Sequence, residues 1–156
     1  MVVISWLNQI WVALVLFLVI FFGGNFSFLD YHLNERSFTS ESLKLIEENT
    51  GLSLSSGSRG LNMFYCGSKC IDQSFIAKVE IPKSSKDFLI KQIEQIKNTD
   101  FHCKDGNQLE KRVTWWKPSK ITIRIERQFY SKTGITHIWF CQEGERWILY
   151  LHWWCI

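Results

Sequence analysis

Thirteen unbroken apolar residues, Ile10 to Phe22, constrain this chain more than any other stretch. Counting Val3 to Leu7, and tolerating Asn8 and Gln9, lengthens the segment to about twenty residues. At roughly 1.5 Å per helical residue that crosses the ~30 Å hydrocarbon layer of a bilayer. Trp6 and Trp11 then fall toward its amino-terminal end, where indole rings favour the interface. The expectation is a single membrane helix within residues 1–24, touching lipid through residues 4–24. A cleaved secretory signal and a buried soluble helix are the alternatives. Against cleavage, no Lys or Arg precedes the run, and FFGGNFS after it offers no A-x-A pattern. Flanking charge leaves the orientation undecided, because only Arg36 lies close by, among Asp30, Glu35 and Glu41. A short amino-terminal tail before a large carboxy-terminal domain is the layout of an uncleaved signal anchor, which places the domain outside the cytoplasm, on the periplasmic side.

The remainder has room for one domain of common size. Eight Trp and twelve Phe in 156 residues supply enough aromatic bulk for a sizeable core, which excludes a disordered chain. The formal charge of +3 mainly serves solubility. Its richest patch runs from Lys104 to Lys132, with eight bases against three acids, and reads as a solvated face that could also meet a negative partner.

Residues 25–38 read as a connector, and an α+β domain follows over 39–156. TSESLKLIEENTG opens on cap-type Thr39 and Ser40, sets Leu43 and Ile46 three apart and stops at Gly51, so a short amphipathic helix is predicted. LNMFYC and IDQSFIAKVEIP are strand-like runs separated by a turn, a natural hairpin. SSKDFLIKQIEQIKN starts a second helix at Ser84 or Ser85, with Leu89, Ile93 and Ile96 as its apolar stripe. After an irregular stretch over 99–119, Pro118 biases Lys117 toward extended backbone, and three strands follow in meander order: KITIRIERQFY, ITHIWFC and RWILYLHWWCI. The last is apolar on both faces and therefore belongs inside a sheet. The order α-β-β-α-β-β-β predicts a membrane helix followed by a two-layer α+β sandwich, its mostly antiparallel sheet having about five strands beside two helices.

Cys66 and Cys70, in YCGSKC, are the first candidates for chemistry. Three intervening residues and strand-like flanks suit neither a C-x-x-C redox centre nor its helix terminus. In an oxidising compartment a Cys66–Cys70 bridge would stabilise by about 2 kcal/mol, and a bridge from either to Cys103, closing a longer loop, by about 4 kcal/mol. A zinc site built from Cys66, Cys70, His102 and Cys103 is the metal alternative, although its spacing matches no familiar finger. Asp100, His102, Cys103 and Asp105 share a loop without an oxyanion frame. His137 and His152 fall in neighbouring strands and could meet across the meander, where packing is the ordinary role of a sheet histidine. No catalytic set and no cofactor motif emerges.

Trp115 and Trp116 must send their rings to opposite faces if extended, leaving one exposed. With Lys117, Lys120, Arg124 and Arg127 they form the candidate partner surface, Trp and Arg being the usual hot-spot types. The same mixture could stack nucleic-acid bases, but an extracytoplasmic location argues against that partner.

IEENTGLSL, a hairpin, FLIKQI, WWKP and a meander closing on LYLHWW together resemble the layout of small bacterial membrane-anchored α+β envelope proteins, some of them immunity factors. The resemblance spans residue 40 to the end, departs from lipid-anchored members in lacking a cysteine after the apolar segment, and transfers no functional residue. The anchor, the absence of a catalytic set and the aromatic, basic carboxy-terminal half point to a single-pass, non-enzymatic domain that binds another protein, a toxin or an envelope component. The alternative is a thiol- or zinc-dependent sensor or enzyme using Cys66, Cys70, His102 and Cys103.

Overall fold

The computed structural model describes residues 30–67, 73–99, 107–118 and 123–155. The apolar segment 1–24, Cys70, the His102 and Cys103 pair and Lys120 lie outside the described residues, as does the side chain of Arg124. The elements are β1 (Tyr31–Asn34), α1 (Ser40–Thr50), β2 (Arg59–Cys66), β3 (Ser74–Ile81), α2 (Lys86–Gln95), a single helical turn α3 (Asn107–Glu110), β4 (Ile123–Tyr130), β5 (Gly134–Glu143) and β6 (Arg146–Cys155).

Both main helices start and stop for identifiable reasons. Thr39 Oγ1 accepts from the Ser42 N–H at 3.3 Å, and Gly51 closes α1 at φ 74, donating to Glu47 O at 2.8 Å. The left-handed φ is why the helix ends on glycine. Helix α2 is entered through a 3-10 turn over Lys83–Ser85 and buries Leu89 and Ile93; Ile96 sits at its C-cap and packs on the same core, half-buried. Truncating a fully buried side chain such as Ile93 to Ala would remove about 3 kcal/mol.

The sheet is antiparallel throughout, in the order β1-β2-β3-β6-β5-β4. It has six strands where about five were expected, because Tyr31–Asn34, within the expected connector, pairs antiparallel with Asn62–Tyr65. Strand β6, apolar on both faces, lies between β3 and β5, as its composition requires. Along it Trp147, Leu149, Leu151 and Trp153 join the core beneath α1 and α2, while Ile148 and Tyr150 point into a second cluster on the opposite face.

Strand direction gives the sheet two dissimilar ends. At the end where β1, β3 and β5 start, the register aligns Tyr31, Tyr65, Phe75, Trp153, Thr136 and Phe129 in one row across all six strands. Tyr31 stacks on Tyr65 at 5.0 Å and Phe75 on Trp153 at 5.2 Å. Gly134 in this corner has no room for a side chain, since a Cβ would stand 2.1 Å from the Trp154 carbonyl oxygen. The opposite end carries the charged β1–α1 and β5–β6 turns.

Candidate functional site

The second face of the sheet gathers most of the chemistry-bearing side chains. It cannot stay bare, since Phe64, Cys66, Ile76, Trp139, Cys141, Ile148 and Tyr150 all point into it, and the segment 107–118 supplies the cover. Leu109 and Trp116 are buried there, and the Trp116 ring meets Trp139 and Tyr150 edge-on at 5.5 and 5.2 Å. Polar contacts pin the same segment. Arg112 Nη1 lies 3.8 Å from Asp30 Oδ2 and 3.6 Å from Cys66 Sγ, and Asp30 Oδ1 also accepts from the Gly67 N–H at 3.1 Å.

Three polar groupings lie on this face. His152 is buried directly opposite His137 in the β5–β6 register, as the meander implied, with Glu110 Oε1 3.9 Å from its Nδ1. Burial, reinforced by the facing His137, pushes the His152 imidazole down to about 3, so it is neutral at physiological pH. Because the ring is neutral, its approach to Glu110 is not a charged pair; burial raises the Glu110 carboxyl. His137 is also lowered by burial, although Glu126 Oε1 at 2.7 Å from Nε2 partly offsets it.

The third grouping joins three strands. Lys78 Nζ of β3 donates to Glu143 Oε2 of β5 at 2.8 Å, and the Tyr150 hydroxyl of β6 donates to Glu143 Oε1 at 2.5 Å. The Lys78 ammonium also lies 5.1 Å from the Tyr150 ring centroid. Desolvation opposes the charge on Glu143, but Lys78 and Tyr150 outweigh it and hold the carboxyl below its ordinary range. Burial first, and the neighbouring Glu143 second, raise the Tyr150 phenol. Cys141 beside them is pushed up to about 11, chiefly by burial, and its Sγ donates to Ile148 O at 3.6 Å. At neutral pH that thiol is protonated and therefore a poor nucleophile. Among the described residues no group of three His, Cys, Asp or Glu is placed to hold a metal ion.

Four members of the expected partner surface, Trp115, Trp116, Lys117 and Arg127, can be placed. Trp116 is buried under the sheet, Trp115 is half-buried against it at 5.9 Å, and Lys117 is exposed. Arg127 alternates with Glu126 along β4 and so shares the helix-covered face with Ile125 and Phe129, away from the Trp pair. Cys66 is buried at the end of β2 and is disulfide-bonded, whereas Cys141 and Cys155 are thiols.

Sequence reasoning passed over Phe88. It is 55% exposed at the rim of a shallow surface depression lined by Ser53, Leu54, Ser55, Ile81, Ser85 and Leu89. One signal was available: Phe88 precedes Leu89 and therefore stands about 100° off it, on the side away from Ile90 and Ile93. In comparisons with known proteins, no family model, no curated protein and no solved structure matches this chain.

Proposed function

We propose that this chain is a single-pass membrane-anchored domain that binds a protein partner outside the cytoplasm, either an envelope component or a toxin that it neutralises. Phe88 carries the reading. A large aromatic ring left exposed beside a small apolar depression, with Lys86, Asp87 and Lys83 around it, has the composition of an interface hot spot inside a polar rim. The depression lies at the sheet end where β3 finishes, opposite the end where β1 begins. The apolar segment before β1 supports the anchor, and the disulfide at Cys66 supports an oxidising compartment. That disulfide also weighs against the zinc and thiol alternative, because a half-cystine has no thiolate to offer a metal.

A photo-crosslinking amino acid in place of Phe88, in the full chain in intact cells, tests the assignment. Ultraviolet exposure is expected to give one discrete adduct, with none from the same probe at exposed Glu94 on the same helix. Equal silence, or equal smearing, from both positions would reject the surface.

A further inference from the structure

We infer that the sheet end at which β1 begins rests on the lipid interface of the anchoring membrane, with Tyr130 and Trp154 turned toward the headgroup layer. This inference deepens the anchored reading and depends on it. Only residues 25–29 separate the apolar segment from Asp30, a reach of at most ~18 Å. An eight-residue strand such as β2 is about 26 Å long, so the opposite end of the sheet stands well beyond that tether.

The two ends differ in the side chains that they expose. Toward the start of β1 the strand ends bring Tyr31, Tyr130 and Trp154, with Tyr130 60% exposed and the other two half-buried. Among the described strand ends and turns there, the charged residues are Asp30, engaged by Gly67 and by Arg112 of the covering segment, and Lys132. At the other end Glu35, Arg36, Arg59, Lys83, Glu145 and Arg146 are all exposed. Tyr and Trp lower their free energy at the headgroup level, where the ring is desolvated and the hydroxyl or indole N–H stays wet, while a dense charged rim belongs in water. Phe88 then faces away from the bilayer, where a partner can reach it.

Depth-dependent quenching of the full chain in phosphatidylcholine proteoliposomes tests the placement. Lys132→Cys and Glu145→Cys variants in a Cys155→Ser background carry a small thiol-reactive fluorophore, and the signal of the Cys155→Ser chain alone is subtracted. A headgroup spin-labelled lipid is expected to quench the probe at position 132 at least about threefold more than the probe at 145. Adding Tyr130→Asp, a change at an exposed position, is expected to reduce the quenching at 132. Equal quenching at the two sites, or stronger quenching at 145, in a chain that resists alkaline carbonate extraction overturns this placement while leaving the anchor intact. Release of the chain by carbonate overturns the anchored reading and the placement together.

Discussion

Acid should destabilise this domain through His152, and the effect can be separated from the general acid response. Burial lowers the folded imidazole to about 3, whereas an unfolded histidine titrates near 6.5. The folded state prefers the neutral ring, so the stabilisation is complete above about 6.5 and is lost as pH falls from there toward 3. Between pH 7 and pH 5 the unfolded chain gains most of one proton that the folded chain does not accept. At about 1.4 kcal/mol per pH unit this amounts to about 2 kcal/mol. Glu110, whose carboxyl is raised by burial, works in the opposite direction at lower pH, and His137 adds to the His152 effect. Both remain in a His152→Gln variant, so the comparison isolates one ring. Urea unfolding of the full chain in detergent, followed by far-ultraviolet circular dichroism at pH 7 and pH 5, gives the four stabilities required. The parent should lose about 2 kcal/mol more than His152→Gln over that interval. An equal loss in the two proteins would refute the claim that His152 is held neutral beneath Trp116 and Trp154.

The group joining β3, β5 and β6 makes a second case. Lys78 and Glu143 retain 14% and 19% side-chain exposure, so Glu143→Ala should cost about 3 kcal/mol by stranding a mostly buried ammonium and orphaning the Tyr150 hydroxyl. Replacing all three together, as Lys78→Met, Glu143→Leu and Tyr150→Phe, should return stability to within about 1 kcal/mol of the parent; urea midpoints of the two variants decide between burial of a paired charge and simple loss of volume. For the cysteines, we expect non-reducing peptide mapping to recover Cys66 joined to Cys70. Recovery of a peptide joining Cys66 to Cys103 instead would reject that pairing, and reduction should lower stability by about 2 kcal/mol in the first case and about 4 kcal/mol in the second.

The sequence made those parts of the fold legible whose signals are local. Thr39 and Gly51 bracket α1 because caps act within one turn, and the two apolar faces of β6 imply a central strand because only a covered sheet tolerates them. Strand β1 was hidden: YHLN holds one aliphatic residue, Leu33, and an edge strand with burial on one face leaves little alternation to read over four residues. The polar groups of the second face were illegible for a different reason. Lys78 and Glu143 meet across 65 residues, and His152 is neutral because of what the fold stacks around it. The alternation argument for the Trp doublet was conditional on an extended backbone with one solvent-facing side. The apolar second face instead requires a cover, and Trp116 provides much of it.

Placing β6 between β3 and β5 imposes an order of assembly. Ser74 pairs with Trp154 and Ile81 with Trp147, so β3 keeps an unsatisfied edge until residues 146–155 have been synthesised. If the chain is threaded across a membrane from its amino-terminal segment, β1, β2 and β3 emerge first as an open three-stranded sheet, and the β4–β5 hairpin can dock only after β6 has bridged the gap. The long closure makes this a slow-folding topology. During that interval the bare edge of β3, rich in Phe75, Ile76 and Val79, is the surface that a chaperone or a second nascent copy would meet.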